Sequence, residues 1–119
     1  MGAIFHEEMI RTTPETFSKW KRRVQCTVVG TSPDVRQDYR SVSHDGPTVL
    51  MMGGERTGLS ETQRALCDTL VCIPMRCGID SLNLAVAASV LLYEVWSQRN
   101  PVRRVKTKRR RRRGDVSRR

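Results

Sequence analysis

Short apolar segments recur along the chain and are separated by polar, glycine-containing stretches. Residues 26–30 (CTVVG), 48–52 (TVLMM) and 69–74 (TLVCIP) are each rich in β-branched or large apolar side chains. Runs of this length, closed by glycine or proline, are typical of β-strands. Because residues 48–52 are apolar without alternation, we expect that strand to be buried on both faces of a sheet.

Helix signals lie between these strands. Residues 12–15 (TTPE) are typical of a capped helix N-terminus with proline in the first turn. Phe17, Trp20 and Val24 then supply an apolar stripe along that first helix.

A second helix signal begins at Ser60, which is a good N-cap residue for a short helix that turns Ala65 and Leu66 inward. Residues 35–46 are polar and predict an exposed loop. Alternating strands and helices predict an α/β domain with a mostly parallel sheet.

The last helix, from about residue 80 to 98, is apolar on several sides. A sheet covers only one face of such a helix, so we expect a second copy of the chain to cover another. The alternative is burial beneath the first helix. The uncharged apolar run at 82–93 is too short to span a bilayer and contains polar residues, so we expect a soluble protein.

The charge of the chain is concentrated at one end. The net charge is +10, yet residues 1–101 carry as many acidic as basic residues. The excess lies in residues 102–119, which include five consecutive arginines and have nothing larger than valine to bury. We expect residues 1–101 to form one domain and residues 102–119 a disordered basic tail. Nonspecific contact with RNA phosphates and a solvated tail without a partner are equally weighted interpretations of the tail, and a localisation signal is a third that the composition does not separate from them.

The candidate metal ligands are poorly arranged. Cys26, Cys67, Cys72 and Cys77 form no Cys-x-x-Cys pair, so we expect no metal and read them as small apolar residues in a reducing compartment. His6 and His44 lie far apart in sequence, and we expect each to be solvated or locally bonded. The N-terminus lacks the features of a secretion signal, which predicts a cytoplasmic protein.

Two loops follow predicted strands, GGERTGLS at 53–60 and MRCGIDSLN at 75–83. In open α/β sheets ligands gather at the carboxyl ends of the strands. Neither loop has the lysine of a phosphate-binding loop or the Gly-x-Gly-x-x-Gly spacing of dinucleotide sites, and Asp80 disfavours an anion. The loops therefore favour a neutral or cationic ligand. Tight turns at the glycines and a helix cap at Asp80 or Ser81 are the alternative without a ligand.

Three ordered segments carry a family resemblance: MMGGERTGLS at 51–60, CDTLVCIPM at 67–75 and DSLNLAVAASVLLYEV at 80–95. They resemble the second and third signature motifs of the SpoU (TrmH-like) RNA 2′-O-ribose methyltransferases of the SPOUT class, and the similarity extends from about residue 2 to 100. The resemblance implies a trefoil-knotted α/β domain that forms a homodimer, binds S-adenosyl-L-methionine in its knot and methylates a ribose of tRNA or rRNA.

The same resemblance implies roles for individual positions. Gly53, Ile73 and Leu82 match positions that hold the cofactor through main-chain groups, and Met75 would line the same pocket. Glu55, Ser81 and Asn83 match polar active-site positions; Asn83 would contact the ribose or a neighbouring loop, and Glu55 would brace the loops. For these three polar residues a helix cap or a local salt bridge is the alternative.

Two features depart from the family pattern. The first motif, an Asn and an Arg ahead of a Gly-Ala stretch, has no counterpart before MGAIF at 1–5, and Cys77 stands where glycine is frequent. We therefore expect a domain that lacks its N-terminal strands. The leading hypothesis is an RNA 2′-O-methyltransferase in truncated form. The rivals are a noncatalytic RNA-binding dimer with the same fold and an unrelated nucleotide-binding α/β protein.

Overall fold

The sheet of this protein is parallel throughout the part of the chain that the computed structural model describes, residues 7–54, 56–75 and 83–103. Its three strands lie in the order β2-β1-β3, so the strand that comes first in the chain is central. The elements are α1 Pro14–Val24, β1 Thr27–Thr31, a 3-10 turn Tyr39–Ser41, β2 Thr48–Met51, α2 Glu61–Leu66, β3 Thr69–Val71 and α3 Leu84–Arg99. The predicted α/β class and parallel sheet are confirmed.

Helix α1 forms as its N-terminal signals predict. The Thr13 hydroxyl accepts a hydrogen bond from the Thr16 N–H at 3.3 Å, and Pro14 occupies the first turn. The helix ends at Val24 and is capped by Gln25, which adopts the left-handed conformation with φ 55°. Its apolar stripe is only half covered, since Phe17 is half-buried and Trp20 is 38% exposed.

Helix α2 begins with a capping box. The Ser60 hydroxyl accepts from the Gln63 N–H at 3.2 Å, and the Gln63 side chain accepts from the Ser60 N–H at 2.9 Å. The predicted cap at Ser60 is thus confirmed. The prediction that Ala65 turns inward is wrong, because Ala65 is exposed while Leu66 is half-buried.

Gly30 of β1 lies close to side chains from the residues that flank α2. A Cβ at Gly30 would lie 2.5 Å from the Cys67 Sγ and 2.9 Å from the Leu59 side chain. A larger residue at Gly30 would therefore force these side chains to shift.

The core is small and centres on β1. Val28, Val29 and Val71 have no exposed surface, and Leu91 of α3 covers Val29 and Val71. Strand β2 lies at an edge of the described sheet, and all four of its residues are half-buried. The prediction that this strand is buried on both faces is therefore wrong in the described part of the chain.

Helix α3 begins later than predicted. Its first residue is Leu84, and its N-cap is Asn83, whose side-chain oxygen accepts from the Ala85 N–H at 2.9 Å. The prediction of a helix start near residue 80 is wrong, because the cap geometry fixes the start at Leu84. The alternative caps, Asp80 and Ser81, lie outside the described residues.

The C-terminal end of α3 is tied to the loop that precedes β2. The Gln98 side chain accepts from the His44 N–H at 2.9 Å and donates to the Val42 carbonyl at 2.8 Å. Arg99 donates to the carbonyls of His44 at 3.1 Å and Gly46 at 2.7 Å. These bonds make the end of α3 and residues 42–46 one unit.

The position of His44 shows that two predictions were wrong, a solvated or locally bonded His44 and an exposed loop at 35–46. Its side chain is 2% exposed, so it is not solvated, and the loop at 35–46 is not exposed throughout. Neither ring nitrogen has a hydrogen-bond partner among the described residues. His6, which shared the first prediction, lies outside them.

The outer face of α3 remains uncovered in the single chain. Leu92 is 60% exposed and Tyr93 is 69% exposed, and the Tyr93 ring stacks on Trp96 with centroids 5.6 Å apart. Helix α1 packs against α2 instead. Burial of this face beneath the first helix, the alternative to a dimer, is therefore not the arrangement of the described chain. Among the described helices, none combines the length and the apolar character needed to cross a bilayer.

Candidate functional site

A cavity of about 400 Å³ opens where the parallel strands end. Each strand contributes its carboxyl end or the loop that follows, and the first turns of α3 form one wall. Most of the large lining side chains are apolar: Met52, Leu59, Val71, Ile73, Met75 and Leu84. This is the place and the character that binding cavities have in open α/β sheets.

The loop after β2 turns tightly against itself. The Gly58 N–H donates to the Gly54 carbonyl at 2.9 Å, and Gly58 has φ +65°, a conformation that glycine adopts at little cost. A Cβ on Gly53 would lie 2.1 Å from the Gly58 carbonyl carbon. The two ends of the turn thus touch through their backbones, and main-chain groups form this part of the cavity wall.

The structure places three of the predicted cofactor residues around one cavity. Gly53 comes from the loop after β2, and Ile73 and Met75 come from the segment after β3. The fourth, Leu82, lies outside the described residues, as do Glu55 and Ser81. The predicted proximity of the two loops is therefore observed for the residues that are described.

Asn83 occupies a structural position beside the cavity. It caps α3, and two residues of the first turn of that helix, Leu84 and Ala87, line the cavity. Its side-chain oxygen is committed to the cap, while its amide NH₂ donates to no described residue. The cap therefore holds the amide in place and leaves donors that a ligand can use.

Polar groups that sequence reasoning missed lie on the cavity rim. Arg64 of α2 donates from a guanidinium nitrogen to the Ser32 hydroxyl at 3.0 Å, and both residues line the cavity. Asp34 and the exposed Arg56 stand on the same rim. A signal for Ser32 was present, since it directly follows a strand. No such signal marked Arg64, because a lone arginine in a short helix is typical of a solvated surface residue.

Charged groups at the opposite end of the sheet, where the strands begin, stabilise the fold. Asp68 accepts from the Val28 N–H at 2.7 Å and from the Lys21 ammonium at 2.8 Å, next to the amino ends of β1 and β3. Partial burial raises the pKa of Asp68, but the hydrogen bonds from Lys21 and Val28 outweigh it, so this pKa lies below its ordinary value. Asp68 is thus a charged clamp on the strand starts, remote from the cavity.

The cysteines do not form a reactive or metal-binding centre in the described ranges. Cys26, Cys67 and Cys72 are half-buried free thiols, and burial raises the pKa of the Cys67 thiol above its ordinary value. No group of three His, Cys, Asp or Glu residues that could hold a metal occurs within 7–54, 56–75 and 83–103. Cys77 lies outside these ranges.

Cavity and sheet together define a class of protein. In the described residues, a parallel α/β domain with a partly apolar cavity at the strand ends, main-chain walls and arginines on the rim is suited to a small ligand that joins an apolar ring to polar groups.

Comparison with known proteins identifies the family. The sequence model of the SpoU rRNA Methylase family matches residues 1–93. The chain belongs to this family.

Relatives and solved structures agree with this assignment. The chain is 39% identical over 103 residues to YacO of Bacillus subtilis, which is assigned to the TrmH family of tRNA/rRNA methyltransferases; the match covers 85% of this chain and 41% of YacO. It is 43% identical over 75 residues to the 23S rRNA (guanosine-2′-O-)-methyltransferase RlmB of Ralstonia nicotianae, covering 63% of this chain and 30% of RlmB.

Among solved structures, the SpoU methyltransferase AviRb of Streptomyces viridochromogenes in complex with AdoMet superimposes with a TM-score of 0.70 and 37% identity, over 78% of this chain and 37% of AviRb. The chain thus spans well under half the length of these proteins.

Proposed function

We propose that this chain carries the cofactor-binding part of an S-adenosyl-L-methionine-dependent RNA 2′-O-ribose methyltransferase that acts on tRNA or rRNA. The observation that carries the proposal is the convergence of Gly53, Ile73 and Met75 on one cavity. Family membership over residues 1–93 and the relatives' named activity support it.

The cavity fits the donor in size and chemistry. A volume of about 400 Å³ lies in the range of small-molecule sites, and its apolar walls suit an adenine ring. Main-chain groups at Gly53 and Ile73 would meet the polar edges of the adenosine, and Met75 would pack against it. When bound, the donor supplies a methyl group on a sulfonium, which is an electrophile.

The protein's own task is to align the ribose oxygen with that methyl group. Transfer is an in-line displacement, so positioning carries much of the catalysis. Asn83 would orient the ribose through its amide donors, because its oxygen is already fixed by the cap. Ser81 would lie beside it on the same segment, Leu82 would complete the donor pocket, and Glu55 would brace the loop after β2.

Equilibrium binding tests the cofactor part of the proposal. Calorimetric titration of the folded chain with S-adenosylmethionine should give a single site, and Met75→Ala should weaken binding by roughly tenfold through lost apolar contact. Met9→Ala is the matched control, because Met9 is 82% exposed and does not line the cavity. A folded chain that binds no donor contradicts the proposal.

A transfer assay tests the reaction itself. Chain and labelled donor are incubated with unmodified tRNA and with unmodified rRNA, and label is sought on ribose 2′-oxygens. Label on one of the two RNAs supports the proposal and identifies the substrate class. Binding of donor and RNA without label favours the noncatalytic RNA-binding dimer.

The proposal includes a homodimer, the trefoil-knotted topology and the cytoplasmic location of an RNA-modifying enzyme. The dimer would bury the uncovered face of α3, where Leu92, Tyr93 and Trp96 lie within two helical turns. A self-complementary apolar helix face is what a two-fold interface needs. Leu92→Lys should shift sedimentation from dimer to monomer, whereas Met9→Lys, at an apolar and even more exposed position elsewhere, should not.

The basic tail would add nonspecific affinity for RNA. Residues 102–119 carry eleven basic residues and one acidic residue. Each phosphate neutralised steepens the fall of affinity with salt. Removal of residues 104–119 should flatten the salt dependence of RNA binding, and an unchanged slope would leave the tail as a solvated segment.

A further inference from the structure

Arg64 is an incompletely paired cation at the mouth of the cavity. It is half-buried on α2, and its described side-chain hydrogen bond goes to a neutral group, the Ser32 hydroxyl at 3.0 Å. Neither ion pair among the described residues includes it. A guanidinium has five donor hydrogens, so most of its capacity is unused by the described residues.

Ser32 gives this arginine a fixed position. Ser32 is 4% exposed and directly follows β1, and its hydroxyl also accepts a hydrogen bond from the Asp34 N–H at 3.4 Å. Because this buried hydroxyl accepts a hydrogen bond from Arg64, it fixes the guanidinium at the cavity rim, between α2 and the end of β1. Arg56, by contrast, is exposed on the turn after β2.

The methyl donor has the complementary group. Its adenosine end is uncharged, and its amino-acid end carries one carboxylate and one ammonium group close together. A carboxylate pairs with a guanidinium through two parallel hydrogen bonds, more strongly than with a neutral donor. The Asp34 carboxylate, which lines the same rim, would face the ammonium.

We infer that Arg64, braced by Ser32, binds the carboxylate of the donor's amino-acid end and so determines which way round the donor lies in the cavity. This inference rests on the proposed function, because it assumes that the cavity holds the donor. It assigns to α2 a direct contact with the ligand. Residues of the two loops would then hold the adenosine while Arg64 holds the opposite end.

Two donors that differ by one group test the inference. S-adenosylmethionine and decarboxylated S-adenosylmethionine share the adenosine, the sulfonium and the ammonium, and only the first has the carboxylate. Calorimetry on the unsubstituted chain should show a preference of roughly 10- to 100-fold for the carboxylated donor. Arg64→Met should remove most of this preference, because it should lower the affinity for the carboxylated donor and leave the affinity for the decarboxylated donor unchanged.

Further variants separate recognition from a structural role. Arg64→Lys keeps the charge without the two-pronged geometry and should retain part of the preference. Ser32→Ala should lower it modestly, since the guanidinium stays but loses its brace. Arg22→Met, at an exposed arginine of α1 that does not line the cavity, is the matched control and should leave the preference unchanged, and Arg56→Met tests the other arginine on the rim.

Each other outcome overturns the inference. Equal loss for both donors in Arg64→Met would mean that the arginine only supports the cavity, and loss in Arg56→Met alone would place the carboxylate at Arg56. Equal affinity of the unsubstituted chain for both donors would refute carboxylate recognition while leaving the proposed function intact. Failure of the folded chain to bind either donor would refute the proposed function as well.

Discussion

Replacing Gly53 by alanine should damage the cavity and the fold together. The new Cβ would lie 2.1 Å from the carbonyl carbon and 2.4 Å from the carbonyl oxygen of Gly58, and 2.4 Å from the Leu59 nitrogen. All three atoms belong to the backbone, so no rotation of a side chain relieves the clash. The turn from residue 53 to 58 must therefore open.

The cost follows from what the opening breaks. Overpacking alone costs about 1–3 kcal/mol. The Gly58 to Gly54 hydrogen bond, 2.9 Å long, contributes about 1 kcal/mol. Leu59, now buried, would be partly drawn out, which adds about 1 kcal/mol. We expect a loss of roughly 3–5 kcal/mol, a large share of the stability of a small domain.

Urea unfolding followed by circular dichroism measures this loss against two other glycines. Gly46→Ala is the matched control, because a Cβ there meets nothing within 4 Å, and it should change the free energy of unfolding by less than about 0.5 kcal/mol. Gly58→Ala meets no atom but keeps φ +65°, and should cost about 1 kcal/mol. If Gly53→Ala were as stable as Gly46→Ala, the tight contact between the ends of this turn would be refuted.

Three further changes probe the core, the bonds from the end of α3 to residues 42–46, and the Asp68 contacts at the strand starts. Leu91→Ala, at a side chain only 1% exposed, should cost about 2–5 kcal/mol in urea unfolding, whereas Leu92→Ala should cost little at low protein concentration. Gln98→Ala should cost about 2 kcal/mol, because it removes the acceptor for the buried His44 N–H. The depressed pKa of Asp68 stabilises the fold above the unfolded value near 3.9, and this contribution is lost as the pH falls through the lower folded value; Asp68→Asn should flatten the acid limb of the stability curve.

Specific results would contradict these expectations. Equal effects of Leu91→Ala and Leu92→Ala would mean that α3 is not docked through Leu91. An unchanged unfolding midpoint in Gln98→Ala would mean that water replaces the side-chain acceptor at no cost. An acid limb as steep in Asp68→Asn as in the unsubstituted chain would assign the loss of stability at low pH to other carboxylates.

The elements were readable from the sequence wherever the signal was local. The proline and threonine at the start of α1 and the capping box at Ser60 are short-range hydrogen-bonding patterns, and both helices begin where those patterns predict. The burial of individual residues was harder to predict from the sequence, because it depends on contacts with residues that are distant along the chain. The unbroken apolar run at 48–52 is typical of a central strand, but β2 lies at an edge of the described sheet and β1 is the central strand.

His44 and Arg64 illustrate what local patterns omit. A histidine in a polar loop is typical of a solvated site, and the local sequence gives no sign that Gln98 and Arg99, 54 and 55 residues away, bond to the main chain of the buried His44. Arg64 reads as a surface charge, and only the return of the chain beside β1 brings it to Ser32. Gly53, Ile73 and Met75, which line the cavity, were predicted only through the family resemblance, because glycine and apolar side chains have no chemistry that marks a binding site.

Helix α3 ties the separate features of the molecule together. Its first turns, at Leu84 and Ala87, form a wall of the cavity, and its last turn is fixed to residues 42–46 by Gln98 and Arg99. Between these ends, Leu91 docks the helix on the sheet, and the opposite face is exposed. Because the helix is anchored at one end and in the middle, a partner seated on its outer face would bear on the same rigid rod that walls the cavity. If the proposed dimer forms on this face, a shift of α3 on docking would move Leu84 and Ala87 and change donor affinity, whereas rigid docking would leave it unchanged; calorimetric titration of Leu92→Lys beside the unsubstituted chain distinguishes the two.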